Sequence, residues 1–297
     1  MPKNTFEMQP TGENPLPSPL PSSPAARERE LWAFRDLVFF LAFACFAFLI
    51  SVSLLTFIYT YGHRAMGWRL PPTGIQNSTF ILLVLQLTVY ALLFGYIYFL
   101  IRLRYQRPFW KTLQWRRVPL SRGLELVLGG ALLAVFMELA PTLLPDKPTF
   151  PLQRLFSSPE AAYAMGIFAV FVAPFMEELI FRGVLFAFFE RFGGLTFAVV
   201  TTAVLFAALH MEEYSGAWNH LLLILVVGLV FSLARGLSGS LTPSVILHAT
   251  YNFTMMLTLF LTTEHFRAIP GWSFPSPSTG VSFHVQTSGL ISFLAQR

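Results

Sequence analysis

The sequence predicts an all-helical integral membrane protein, a bundle of about seven or eight membrane-spanning helices. Of its 297 residues, 55% are hydrophobic and only 12% are charged, whereas soluble domains carry about 25% charged residues. Apolar runs of roughly 20 residues, the length that crosses a bilayer core about 30 Å thick, also recur along the chain. Most of the protein is therefore expected to lie in lipid.

The apolar runs divide the chain into two groups of helices between polar tails. Candidate spans occur at residues 36–61, 79–101, 123–144, 161–191, 195–211, 220–236 and 243–264. This division predicts three helices within residues 31–150 and a second group within 151–264. Residues 1–30 are rich in proline and serine and lack hydrophobic periodicity, which predicts a disordered tail. Residues 265–297 are expected to form a mostly irregular C-terminal tail.

The basic residues indicate how the chain is oriented. The loop 102–122 carries seven basic residues and no acidic one, so the positive-inside rule places it in the cytoplasm. The N-terminal tail, two crossings earlier, is then also cytoplasmic. Because the excess positive charge of +5 gathers at helix flanks and forms no polar domain, nucleic-acid binding is not expected. The single cysteine, Cys45, excludes an intrachain disulfide.

Ionisable residues at membrane depth mark candidate functional sites, because each costs several kcal/mol to bury in lipid. The fourth predicted span contains Glu177, Glu178 and Arg182. Glu178 and Arg182 stand four residues apart, the helical spacing at which a carboxylate and a guanidinium pair. Glu177 points about 100° away and lacks that partner. Since a carboxylate of this kind is suited to act as a general base, Glu177 is the residue expected to carry the chemistry.

Two further spans carry imidazoles. His210 ends the fifth span, and the seventh contains His248 and Asn252, four residues apart on one face. If the fourth and fifth spans form a hairpin that turns at Gly193, Glu177 and His210 lie almost equally far from the turn and at similar height. The groups of the seventh span reach that height only if this hairpin protrudes further into the cytoplasm than the next one.

Other functions can be weighed against an enzyme. Each polar residue alone has a structural alternative, since such groups also tie membrane helices together. One carboxylate, two imidazoles and an amide on three spans favour a site instead. A proton-coupled transporter would also bury such groups, but here they cluster in the last four spans without repeated halves. A catalytically silent immunity or scaffold protein would keep the same fold, and only activity distinguishes it from an enzyme.

The polar residues resemble the motifs of a known family, the CAAX-protease and bacteriocin-processing family. Its motifs EExxxR, FxxxH and HxxxN are similar to Glu177-Glu178 with Arg182, to Phe206 with His210, and to His248 with Asn252. The resemblance covers residues 160–260. The family includes type 2 prenyl-protein peptidases, which remove the last three residues after a prenylated cysteine, and many bacterial members linked to bacteriocin immunity or peptide maturation.

The resemblance implies an intramembrane endopeptidase that acts on a prenylated or other membrane-associated peptide substrate. Glu177 would deprotonate a water held by His210, and His248 and Asn252 would donate hydrogen bonds to the oxyanion. The resemblance also implies that the enzyme is in contact with membrane lipid. Because the family has many bacterial members, we expect a bacterial plasma membrane.

The resemblance also bears on the supporting residues and on a cofactor. Glu178 and Arg182 would fix the helix and the electrostatic field around Glu177. Glu177, His210 and His248 are a reasonable ligand set for a catalytic zinc ion with one open position. No HExxH pair preorganises two ligands on one helix, however. We favour a metal-free glutamate mechanism, and zinc stays an open alternative.

Overall fold

The computed structural model describes residues 32–67, 78–140, 156, 158–211 and 218–267, which form helices joined by turns, with no strand among them. The predicted tail 1–30 lies outside the described residues, as does the predicted tail 265–297 apart from its first three residues. Among the described residues, six helical runs are long and apolar enough to cross a membrane: Phe34–Met66, Thr79–Arg104, Leu120–Leu139, Pro159–Leu209, Trp218–Ser238 and Leu241–Thr262. The prediction of an all-helical, multi-pass membrane protein is confirmed.

The α-helices are numbered in chain order. They are α1 (Phe34–Met66), α2 (Thr79–Phe99), α3 (Phe109–Thr112), α4 (Leu120–Leu139), α5 (Pro159–Ile167), α6 (Ala173–Glu178), α7 (Phe186–Leu209), α8 (Trp218–Ser238) and α9 (Leu241–Thr262). Wider π-helical turns continue or join some of them, at Leu100–Arg104, Phe168–Val172 and Leu179–Leu185.

The run Pro159–Leu209 holds two of the predicted spans, because it folds back on itself at Gly194. Gly194 has φ 75° and ψ −175°, a combination that is essentially restricted to glycine. The rings of Phe181 and Phe206 lie 5.3 Å apart, and those of Phe189 and Phe197 lie 5.8 Å apart. These cross-contacts require two antiparallel segments. The turn expected at Gly193 thus lies at its neighbour.

Serine side chains cap the start of the run Pro159–Leu209 and of α9, the two segments that carry the polar residues. The Ser158 side chain accepts a hydrogen bond from the backbone N–H of Ala161, with Pro159 at the first turn of α5. Ser240 accepts in the same way from the N–H of Thr242 at the start of α9. Serine at the N-cap and proline in the first turn are the preferred residues there, because they leave fewer helix N–H groups unsatisfied.

A buried carboxylate fixes the start of α1 to the end of the second span. Asp36 is 2% exposed. It accepts a hydrogen bond from the Ala33 N–H at 3.0 Å and from the Tyr105 hydroxyl, and it forms an ion pair with Arg104 at 3.1 Å. Because a buried charge is tolerated only with such partners, this cluster holds the two spans together at one end.

Small residues allow α4 and α9 to approach closely. A Cβ atom at Gly130 would lie 2.6 Å from the Leu247 carbonyl oxygen and 2.9 Å from the Thr250 Cβ. Gly123, earlier in α4, faces open space instead. Close backbone approach at small residues is a common source of helix association in lipid, where the hydrophobic effect between helices is absent. Gly130 is therefore the point at which α4 packs closely against α9, the last span.

Candidate active site

The acidic residues of the fourth span stand between two wide helical turns. Pro174 lacks an N–H and cannot donate to the carbonyl four residues earlier, which favours the π turn Phe168–Val172 just before it. The second π turn, Leu179–Leu185, follows Glu178 directly. In that turn the Arg182 carbonyl accepts a hydrogen bond from Arg235 Nε at 3.0 Å. Such π segments occur frequently at functional sites.

Glu178 and Arg182 form the predicted ion pair, and both side chains are fully buried. Arg182 Nη1 lies 2.9 Å from Glu178 Oε1. Arg182 also donates to the Gly228 carbonyl oxygen at 2.8 Å and to Ser232 Oγ at 3.2 Å. Its guanidinium lies 4.8 Å from the centre of the Phe206 ring. Arg182 thus ties the fourth span to the fifth span and to α8.

His248 is held between the two carboxylates. Its Nδ1 lies 2.9 Å from Glu178 Oε1, and its Nε2 lies 3.8 Å from Glu177 Oε2. The Phe231 ring stacks on the imidazole at 4.6 Å. Because an ionised carboxylate only accepts hydrogen bonds, Nδ1 carries the hydrogen and donates to Glu178. The other ring nitrogen is the one that faces Glu177.

The hairpin of the fourth and fifth spans extends further than the turn before α9, as the alignment of Glu177 with His248 requires. A Cβ atom at Gly183 would lie 3.6 Å from Leu241, the first residue of α9. The fourth span continues from Gly183 to Gly194 beyond this point. The difference in depth brings Glu177 and Glu178 level with His248.

Glu177 is partly exposed and has a partner from the second span. Its side chain is 20% exposed, in contrast to the fully buried Glu178. The Tyr90 hydroxyl donates a hydrogen bond of 3.2 Å to Glu177 Oε1. The more accessible of the two carboxylates is thus the one expected to act as a base.

The remaining two motif residues bond to nearby backbone. His210 Nδ1 lies 2.7 Å from the Phe206 carbonyl oxygen, and Asn252 Nδ2 donates to the Ala169 carbonyl oxygen at 2.7 Å. The Phe206 ring lies 4.5 Å from the His210 ring and 5.8 Å from the His248 ring. The two imidazoles therefore share one aromatic neighbour, and Asn252 connects α9 to the π turn before Pro174.

Comparison with known proteins identifies the segment that holds this cluster. The family model described as "Type II CAAX prenyl endopeptidase Rce1-like" matches residues 159–254. This match agrees with the resemblance of the motif residues to the CAAX-protease and bacteriocin-processing family. No curated protein and no solved structure matches the chain significantly. The matched segment is thus similar to a protease, and it lies on helices long and apolar enough to cross a membrane.

The matched segment 159–254 contains all the motif residues, yet two elements beyond the motifs complete the cluster. One is Tyr90, in a helix outside the matched residues. The other is α8, whose Gly228 and Ser232 hold Arg182. Sequence reasoning missed both, since a tyrosine or serine in an apolar helix gives no sign of which span it faces.

The cluster of motif residues is a poor geometric fit for a metal ion. No three or more His, Cys, Asp or Glu side chains are placed to hold a metal ion within the part of the chain that the structure describes. Glu177 and His248 approach each other, but this pair supplies two ligands where catalytic zinc needs three protein ligands.

Proposed function

We propose that the protein is an intramembrane endopeptidase in which Glu177 activates water to hydrolyse a peptide bond near the membrane. The observation that carries the proposal is the different setting of the adjacent carboxylates. Glu178 is fully buried and bonded to Arg182 and His248, whereas Glu177 is partly exposed and has Oε2 directed toward His248. One carboxylate is held as a fixed charge, and the other is accessible to water.

The hydrogen bonds of His210 suit it to hold the water. The Phe206 carbonyl oxygen can only accept, so Nδ1 of His210 carries the hydrogen. Nε2 of the neutral ring is then an acceptor. A water that donates one hydrogen to this nitrogen and the other to Glu177 presents its oxygen lone pair to a substrate carbonyl. Glu177 takes the proton as the oxygen–carbon bond forms.

The oxyanion of the tetrahedral intermediate needs donors, and α9 supplies two candidates. Asn252 uses one amide hydrogen on Ala169, which leaves the second for the oxyanion. His248 donates through Nε2 when both ring nitrogens carry hydrogen, since Nδ1 is bonded to Glu178. Collapse of the intermediate breaks the carbon–nitrogen bond, and Glu177 returns its proton to the leaving amine.

We propose a prenylated CAAX-type peptide, or another membrane-associated peptide, as the substrate. The support is the family match over residues 159–254 together with the position of Glu177 inside a membrane-spanning run. We further propose that the protein lies in a bacterial plasma membrane with its N-terminus in the cytoplasm. The basic loop 102–122 supports this orientation.

The test is cleavage of a prenylated CAAX peptide and of a membrane-peptide library by the purified full chain, with and without a chelator. Glu177→Gln should lower the rate about 10²- to 10⁴-fold or more, since it removes the base. Glu138→Gln is the matched control, a half-buried carboxylate on α4. Asn252→Ala should lose about 10²- to 10³-fold, the typical effect of one oxyanion donor.

Each outcome discriminates between mechanisms. Activity that survives the chelator and is lost in Glu177→Gln supports a glutamate-activated water. Loss on chelation, with recovery when zinc is restored, would favour the metal alternative. A wild-type protein inactive on both substrate sets would point to a silent immunity or scaffold protein.

A further inference from the structure

A buried tyrosine of the second span reaches the expected catalytic base. Tyr90 lies on α2 and is 8% exposed. Its ring is nearly parallel to that of Phe168, with an interplanar angle of 10° and a centroid distance of 6.0 Å. The hydroxyl donates to Glu177 Oε1 at 3.2 Å. The ring contact fixes where the hydroxyl stands.

This hydrogen bond makes the two oxygens of Glu177 unequal. Oε1 is occupied by the Tyr90 hydroxyl, and Oε2 faces His248 Nε2 at 3.8 Å. A carboxylate without such a bond can rotate and exchange its two oxygens. General-base catalysis requires the basic oxygen to lie within hydrogen-bond reach of the proton that it removes. With Oε1 bonded to Tyr90, the carboxylate keeps Oε2 on the side of the His248 imidazole. Oε2 is then the oxygen left to accept a proton from water.

We propose that Tyr90 is a positioning residue, which holds Glu177 so that Oε2 is the oxygen that takes the proton from water. This inference rests on the proposed function of Glu177. It also gives the N-terminal helices, which lie outside the family match, a part in the chemistry. Because Tyr90 acts on the base, its loss should lower kcat and leave the binding of substrate intact.

The first experiment compares Tyr90→Phe with Tyr98→Phe in the purified full chain. Tyr98 is on the same helix, and its ring packs against those of Phe94, Phe99 and Phe109. Tyr90→Phe should lower kcat about 10- to 100-fold, the effect of one hydrogen bond to a charged group. KM should stay within about twofold. Tyr98→Phe should match the wild type in both constants.

A double-mutant cycle separates positioning from general loss of structure. Glu177→Asp withdraws the carboxylate by one methylene, beyond the reach of the Tyr90 hydroxyl. If Tyr90 acts through Glu177, adding Tyr90→Phe to Glu177→Asp should change kcat less than about twofold. An equal loss in both backgrounds would show that the hydroxyl acts elsewhere and would overturn the proposal. A rise in KM with unchanged kcat would overturn it too.

The hydrogen bond between Tyr90 and Glu177 is also tested without turnover. A failure of this inference can then be distinguished from a failure of the proposed function. The infrared carboxylate band that disappears in Glu177→Gln should shift in Tyr90→Phe and stay in place in Tyr98→Phe. An unshifted band in Tyr90→Phe overturns the inference whether or not the enzyme is active. An active wild type with an inactive Glu177→Gln and an unaffected Tyr90→Phe would uphold the function and reject the positioning role.

Discussion

Replacing Arg182 with methionine should destabilise the fold far more than removing an exposed arginine. The substitution keeps an unbranched side chain of similar reach but removes the positive charge and three hydrogen bonds, to Glu178, Gly228 and Ser232. Arg182 and Glu178 are both fully buried. Without Arg182, the Glu178 carboxylate stays in an apolar interior and loses its permanently charged partner, while His248 remains bonded to it.

The size of the effect follows from burial. Removing one partner of a buried ion pair costs about 3–5 kcal/mol, because the other charge is left uncompensated. The pair Arg122–Glu125 on α4 is the matched control, with side chains 69% and 62% exposed. Arg122→Met should change the free energy of unfolding by about 0.2–1 kcal/mol, the range of exposed ion pairs. The two arginines should therefore differ by several kcal/mol.

The assay is reversible unfolding of the purified protein in mixed micelles, followed by circular dichroism and tryptophan fluorescence. The double variant Glu178→Gln with Arg182→Met removes both charges and keeps an acceptor for His248. It should be more stable than Arg182→Met alone, since no unpaired charge is buried. If Arg182→Met loses no more stability than Arg122→Met, or if the double variant is less stable than the single one, the reasoning is refuted.

Three further predictions concern the fold. Gly130→Ala should lose about 1–3 kcal/mol of stability through overpacking against α9, while Gly123→Ala on the same helix should be neutral or stabilising; equal effects would contradict the close approach. Gly194→Ala should lose about 1–3 kcal/mol, because φ is 75° at the turn, and an unchanged melting temperature would contradict it. Burial and the hydrogen bond to Asp36 raise the pKa of Tyr105 above its ordinary value of 10.0; the folded state binds this proton more tightly, so the stabilisation is complete below pH 10 and is lost as the pH rises further. Tyr105→Phe should therefore flatten the fall of melting temperature in alkali, and an unchanged slope would exclude this contribution.

Local features of the site were predictable because they depend on spacing within one helix or one hairpin. The Glu178–Arg182 pair has the expected i, i+4 geometry, at 2.9 Å. The turn lies at Gly194, one residue from the expected Gly193. Helical periodicity and the distance of each residue from a turn are properties of the sequence itself. The catalytic roles of these residues stay predictions until activity is measured.

Contacts between distant spans were not predictable. Asn252 bonds to Ala169, 83 residues away, and Tyr90 reaches Glu177 across 87 residues. The π turns on either side of Glu177 and Glu178 were also missed, although Pro174 was visible as a helix-breaking residue. A π turn rotates every later side chain about the helix axis. Side chains beyond it therefore no longer lie on the faces that regular α-helical spacing predicts.

The sequence by itself determined that the chain spans the membrane many times as helices, because apolar composition and run length decide how a segment partitions into lipid. It also determined which polar residues lie on those helices and which pairs share a face. Only the tertiary structure decided that His248 bonds to Glu178 and faces Glu177, and that the Tyr90 hydroxyl donates a hydrogen bond to Glu177. The physical reason is that helix order, depth and rotation follow from packing of the whole bundle, at contacts such as Gly130 against Leu247, and no single segment contains that information.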